Sequence, residues 1–185
     1  MEFFQNAKVV RLKSYHDKYL MANGDGETIY QDLQGCYDNA KWTVEILNHD
    51  DNNLIRLKSF FGNYLTATNI PFLLGSAGKK VMQQPLPSNL LNSSSFEWEP
   101  IRDGMLVKLK TRDGGGFLRA NDFRLRPWKN SVTHDNPHRT ATANWILWDV
   151  EIVESREQES DDKPIEHREL DKNRSPEKRW KNYIL

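Results

Sequence analysis

VRLKSYHDKYLMA at Val10–Ala22, IRLKSFFGNYLTA at Ile55–Ala67 and VKLKTRDGGGFLRA at Val107–Ala120 are three versions of one segment. Each runs from an apolar residue through a basic one to Leu-Lys, a hydroxyl residue, a polar bend, an aromatic ring, Leu and a closing Ala. The paired leucines Leu12/Leu20, Leu57/Leu65 and Leu109/Leu118 are eight, eight and nine residues apart, so only the third copy carries an insertion, in its glycine run. Each copy is followed by a tryptophan strand: WTVEI from Trp42, FEWEPI through Trp98 and WILWDVEI through Trp148. A unit of about 45 to 55 residues recurring three times predicts one internally repeated fold, since a single unit cannot bury its own apolar face.

Within each copy apolar and charged residues alternate. Val10, Leu12 and Ser14 are interleaved with Arg11 and Lys13, and Ile55, Leu57 and Ser59 with Arg56 and Lys58. A period of two places the first set on one face of a strand and the charges on the other. Trp42, Val44 and Ile46 alternate likewise, as do Ile146, Trp148, Val150 and Ile152. Between the strands lie Asn23-Gly24-Asp25-Gly26, Phe61-Gly62-Asn63 and Asp113-Gly114-Gly115-Gly116, whose residues tolerate positive φ and therefore predict tight turns. No convincing helical periodicity runs through residues 1–153. About four short strands in each of three repeats predict an all-β fold of the β-trefoil kind, a six-stranded barrel capped by three hairpins. The leucines, alanines and closing tryptophans are expected to fill its interior. Lys13, Lys58 and Lys110 are expected to form a solvated ring around it.

Bulk properties bound what such a fold does. The chain has 185 residues, 26 of them basic and 26 acidic, which removes any global attraction to nucleic acid or anionic lipid. A trefoil of about 150 residues buries about 68–70% of its unfolded surface and needs no staples. Cys36 is the one cysteine and cannot form an intrachain disulfide, and Met1–Ser14 carries Glu2, Lys8, Arg11 and Lys13 where a secretory signal needs an apolar run. A cytoplasmic protein, with nuclear residence also open, and no membrane span is expected.

The run Lys58-Ser59, Gly62-Asn63-Tyr64-Leu65-Thr66-Ala67, followed by a tryptophan strand such as Trp42-Thr43-Val44-Glu45, resembles the repeat of the fascin-type, actin-crosslinking β-trefoils. MEFFQNAKVVRLKS, HDKYL, PFLLGSAGKKV and PWKNSVTHDNPHRTAT with WILWDVEIV resemble, over about residues 1–153, a plant family of trefoils known as domain of unknown function 569. The second resemblance implies the fold and no activity. The first implies an intracellular, non-enzymatic module that binds actin filaments or another macromolecule. Crosslinking would require two filament sites, so a lone trefoil, expected to be a monomer or to self-associate weakly, would need a second copy.

The richest segment outside the repeats is Phe117–Thr142, FLRANDFRLRPWKNSVTHDNPHRTAT. It sets Arg119, Arg124, Arg126, Lys129 and Arg139 against Asp122 and Asp135, with Phe123 and Trp128 between the cations. Cationic side chains interleaved with aromatics can hold phosphates, acidic filament patches or stacked rings. Because scaffolds display function on loops, Arg119, Arg124, Arg126, Trp128, Lys129, His134, His138 and Arg139 are the candidate partner-binding residues. The competing structural reading is that Trp128 packs the loop onto the barrel while the arginines snorkel.

Sharper chemistry is not supported. His134 and His138 are four apart, but Pro137 lies between them, the stretch reads as loop, and no third ligand is evident, so no metal site is expected. Ser131, His134 and Asp135 lack any nucleophile-turn signature, and Cys36 beside Gly35 reads as an ordinary small residue. GSAGKK within Pro71–Val81 lacks the Walker spacing and any βαβ surroundings. These readings predict a non-enzyme without cofactor.

The alternative function is carbohydrate or small-ligand binding. Ricin-type trefoils resemble one another through Gln-x-Trp motifs, and the positions two before the closing tryptophans here are Ala40, Phe96 and Ile146. A pocket around Trp128 and Asp122 would not need that motif. Beyond the trefoil, residues 154–171 read as an acidic linker. Residues 172–185 read as a basic tail in which Ser175-Pro176-Glu177 starts a short amphipathic helix bearing Trp180, Tyr183 and Ile184.

Overall fold

The computed structural model describes residues 2–49, 52–73, 78–89, 94–136 and 140–156. A single helical turn, α1 (Glu2–Gln5), precedes twelve strands that fall into three sets of four. The first set is β1 (Ala7–Ser14), β2 (Tyr19–Ala22), β3 (Ile29–Asp32) and β4 (Trp42–His49). The second is β5 (Asn52–Ser59), β6 (Tyr64–Pro71), β7 (Lys79–Gln84) and β8 (Trp98–Asp103). The third is β9 (Leu106–Thr111), β10 (Phe117–Ala120), β11 (Val132–Asp135) and β12 (Trp148–Ser155).

The outer strands of the three sets close on themselves. β1 pairs with β4, β4 with β5, β5 with β8, β8 with β9, β9 with β12 and β12 with β1, all antiparallel, giving a six-stranded barrel with no free edge. The inner strands form the hairpins β2–β3, β6–β7 and β10–β11 that cap one end. These hairpins also touch one another, through the bridges Thr28–Met82, Tyr30–Ser131 and Thr133–Lys80. The expected all-β trefoil is what the chain forms.

The repeated residues do the same job three times. Leu12, Leu57 and Leu109, with Leu20, Leu65 and Leu118, are fully buried, and so are Trp42, Trp98 and Trp148. Each leucine removed from water contributes about 1.5–3 kcal/mol. The three tryptophans cannot be buried without a partner for the indole N–H. Each Nε1 donates to the carbonyl of the second leucine of its own repeat: Trp42 to Leu20 at 3.1 Å, Trp98 to Leu65 at 3.0 Å and Trp148 to Leu118 at 3.0 Å. In the third repeat Gly116 lies at φ +139, and a Cβ there would stand 2.7 Å from the backbone of Asp135, so the glycine run lets β10 approach β11.

Four expectations are corrected. Arg56 is not on a solvated face: it is 7% exposed and pairs with Glu97, itself 2% exposed, at 2.6 Å, while Arg112 closes on the other carboxylate oxygen. Period-two alternation assigns Arg56 to the outside of β5, but the segment before β8 lies over that outside. Lys13, Lys58 and Lys110 are half-buried and individually engaged, by Asp17 at 2.9 Å, by the Tyr64 ring at 5.5 Å and by Glu99 at 3.4 Å, so they are not a free ring. The segment 117–142 is not a continuous loop, because β10 and β11 and a 3-10 turn from Thr140 take up much of it. Finally, β12 runs on through Ser155, so Glu154 and Ser155 belong to the barrel. The remainder of the acidic segment and the basic tail lie outside the described residues.

Candidate functional site

The hairpin β10–β11 carries the loop 121–130, and its neighbours hold that loop at both ends. Asn121 is 1% exposed, and its side-chain amide donates to Ser131 Oγ at 3.1 Å and Thr133 Oγ1 at 3.0 Å. Lys18, from the turn between β1 and β2, donates to Asp122 Oδ1 at 2.6 Å and to Asn130 Oδ1 at 2.9 Å. One ammonium thereby ties the two ends of the loop together. The second repeat makes the same kind of tie with a neutral group, Asn63 donating to the Gly26 carbonyl at 2.9 Å. Inside the loop the Lys129 N–H donates to the Leu125 carbonyl at 3.1 Å, and Ser131 Oγ donates to the Trp128 carbonyl at 2.8 Å.

A run of rings supports the loop from beneath. Phe72 contacts Trp128 with centroids 4.6 Å apart, Trp128 contacts Phe123 at 5.6 Å, Phe123 contacts Trp145 at 4.8 Å and Trp145 contacts His16 at 5.2 Å. The last three pairs meet edge to face at 67° to 78°, the arrangement the ring quadrupole favours, and the Phe72–Trp128 pair is tilted at 48°. Most of these faces are therefore spent on packing. His16 also meets the Ala120 carbonyl at 3.2 Å and lies 3.7 Å from Asp122. Burial pushes its imidazole below the ordinary value, opposed by the Asp122 carboxylate and the Ala120 carbonyl.

What the braced loop presents to solvent is its tip. Leu125 is 77% exposed and flanked by Arg124 and Arg126, both exposed, with exposed Lys129 close by in the chain. Among the described residues no carboxylate pairs with Arg124, Arg126 or Lys129. These three and the half-buried Trp128 are the predicted residues that the fold brings together on one surface.

The other predicted residues are placed differently. The Arg119 side chain is 12% exposed, lies over the Trp145 ring at 5.1 Å and stands 3.8 Å from Asp135, so it is a wall residue and not part of the display. His134 is in β11, not in a loop; it is 4% exposed and its Nε2 donates to the Thr68 carbonyl at 2.7 Å. Strand alternation turns its ring inward, which withdraws it from the candidate surface. His138 and Arg139 lie outside the described residues. Sequence reasoning passed over Lys18, Asn130, Trp145 and Phe72, which are far from the loop in sequence or carry no motif. Leu125 was legible as an apolar residue between two arginines.

Elsewhere, a crevice of about 190 Å³ lies where the β1–β2 turn meets the chain before β12, between Lys13, Tyr15, Leu147 and Asp149. Among the described residues that line it, the one cation, Lys13, is already held by Asp17, whose hydrogen bond raises the ammonium's pKa.

The barrel, its three caps and one elaborated cap loop define a β-trefoil with an exposed basic loop on its third repeat. The chain belongs to the family described as beta-trefoil domain of unknown function (DUF569), whose model matches residues 1–148. No curated protein sequence matches it at a significant level. Among solved structures it is similar to the designed three-fold symmetric protein ThreeFoil, with TM-score 0.58 and 18% identity over 78% of this chain and 98% of that one. It is also similar to a GlcNAcα1-4Gal releasing endo-β-galactosidase from Clostridium perfringens, with TM-score 0.57 and 16% identity over 79% of this chain; it spans 32% of the galactosidase chain. A Polyporus squamosus lectin bound to a sialylated influenza-binding epitope matches with TM-score 0.57 and 15% identity, over 80% of this chain and 49% of that one. At these identities the likeness is one of fold.

Proposed function

We propose that this protein is a non-enzymatic, intracellular interaction module that binds a macromolecular partner through loop 121–130. The observation that carries this reading is the combination of a loop tied at both ends, by Lys18 and by Asn121, with an exposed tip of Arg124, Leu125 and Arg126. Ordering a loop before binding removes an entropic penalty from association. Surface arginines that no carboxylate among the described residues pairs with favour an acidic partner and raise the association rate in a salt-dependent way. Actin filaments are the first partner to test, on the resemblance of the repeats to fascin-type trefoils.

The test is sedimentation of the full chain with actin filaments at two salt concentrations, alongside the triple variant Arg124→Glu, Arg126→Glu, Lys129→Glu. Salt-sensitive pelleting that the triple variant abolishes supports the reading. Pelleting that survives the triple variant places the site elsewhere. No pelleting at low salt removes actin from consideration.

A second reading is carbohydrate binding at the same loop. Phe123 is 40% exposed beside half-buried Trp128, and the Asp122 carboxylate keeps 40% of its side-chain surface open, a combination able to stack on and hydrogen-bond a sugar. A glycan array read with wild type and Trp128→Ala discriminates the two: glycan signals lost in the variant favour the sugar, and uniformly blank arrays favour a protein partner.

A further inference from the structure

The register of the caps places three residues at one equivalent position. Gln31 opposes Leu20, Gln83 opposes Leu65 and His134 opposes Leu118, each facing the second leucine of its repeat. All three are buried, at 0%, 0% and 4% exposure. Each reaches a backbone carbonyl of the neighbouring repeat, just after that repeat's closing alanine. Gln31 Nε2 donates to the Asn121 carbonyl at 3.0 Å, Gln83 Nε2 to the Asn23 carbonyl at 2.6 Å and His134 Nε2 to the Thr68 carbonyl at 2.7 Å. The bonds run from the first repeat to the third, from the second to the first and from the third to the second. They make a closed ring that locks the three hairpins together.

Two members of this ring are amides, which do not titrate. The third is an imidazole, which does. A carbonyl oxygen only accepts, so His134 carries its proton on Nε2, and a second proton would have to enter on Nδ1 in a nearly dry site. The groups that bear on that proton are few. Burial opposes it most, the Thr68 carbonyl on β6 favours it, Lys79 on the adjoining β7 opposes it, and the Gly115 carbonyl and Asp135 favour it; Asp135 in turn lies by Arg119 on β10. The net direction is downward from 6.5. The unfolded chain therefore takes up this proton at a higher pH than the folded one, so the folded state is favoured above the ordinary imidazole range and loses that advantage as pH falls through the folded value.

We propose that His134 is a proton-sensitive latch in an otherwise pH-indifferent ring, so that acidification loosens the β10–β11 hairpin from β6 and β7 while the junctions made by Gln31 and Gln83 hold. The latch does not depend on what loop 121–130 binds. It lies in the hairpin that carries that loop, and it gives the third cap a mode of opening that the other two lack.

Amide hydrogen exchange on the full chain at pH 7.5 and 5.0, corrected for intrinsic rates, tests this hairpin by hairpin. Wild type is expected to lose protection several-fold in β10–β11 and in the adjoining part of β6–β7, with little change in β2–β3. His134→Gln, which gives the third repeat the amide of the other two, is expected to remove that local loss. His16→Asn must leave it in place, because His16 touches the same loop from the other side and also has a depressed pKa. Uniform loss over all three hairpins, or a local loss unchanged in His134→Gln or abolished by His16→Asn, overturns the proposal. Should His134→Gln not fold, an NMR titration of the wild-type histidines decides. The His134 ring must titrate below the ordinary value with concerted shifts in β10 and β11 amides; an ordinary titration, or one without those shifts, refutes the latch.

Discussion

Glu97 is a carboxylate held out of water between two guanidinium groups, with Arg56 on one oxygen and Arg112 on the other. Truncating it removes from Arg56, which is 7% exposed, the carboxylate that balances its charge. Glu97→Ala is expected to destabilise the fold by about 3–5 kcal/mol, the usual penalty for removing one partner of a buried pair, as measured by urea unfolding. A loss under about 1 kcal/mol would show that Arg56 finds water on its own. The triad was not legible beforehand because alternation assigns a residue to one face of its strand but does not say what covers that face. Tyr64 illustrates a milder case. Its hydroxyl donates to Glu45 at 2.7 Å, and burial together with that carboxylate pushes its pKa up to about 12. Tyr64→Phe is expected to lose about 0.5–1.5 kcal/mol, the net value of one hydrogen bond.

At the scale of the element, the loop 121–130 is braced because side chains from three other places converge on it: Lys18 and His16 before β2, Phe72 after β6 and Trp145 before β12. Trp128→Ala removes two ring contacts from a half-buried position and is expected to lower stability by about 1–2 kcal/mol, less than the 3–5 kcal/mol of a fully buried ring. The charge reversals at Arg124, Arg126 and Lys129 are expected to change the melting temperature little, since exposed substitutions typically stay within about 0.5 kcal/mol each. Calorimetry of the two variants side by side separates the brace from the display. The composition of this loop, cations interleaved with aromatics, was readable from the sequence, but the exposure of Leu125 at its tip was not. What holds it was not, because Lys18 and His16 reach it from 104 positions away, Phe72 and Trp145 come from other segments again, and the cap loops of the three repeats differ in length. That same inequality hid the kinship of Gln31, Gln83 and His134, which only the strand register reveals.

At the scale of the whole molecule, the three-fold pattern was the most legible feature, since leucine, alanine and tryptophan recur in order and each has one place to go. The pattern also makes a quantitative demand. Trp42→Phe, Trp98→Phe and Trp148→Phe each leave one leucine carbonyl without its indole donor and open a similar void. Each should therefore destabilise by about 1–3 kcal/mol or somewhat more, and the three values should agree within about 1 kcal/mol in denaturant titrations. A wide spread would mean that the repeats are equivalent in backbone but not in packing. The barrel's seam has a further meaning. β1 lies against β12 with Ala7 opposite Ser155, and the Arg156 N–H donates to the Asn6 carbonyl at 2.8 Å, so the first and last described strands are as closely joined as any two consecutive ones. The point at which the polypeptide is interrupted is thus arbitrary with respect to the architecture. A circular permutant that links residue 156 to residue 2 through a flexible bridge, so that the buried Phe4 of α1 is kept, and opens instead at the exposed Gly104-Met105 turn, should close the same barrel, leaving the seam to be sewn by covalent bonds and the old turn by hydrogen bonds alone.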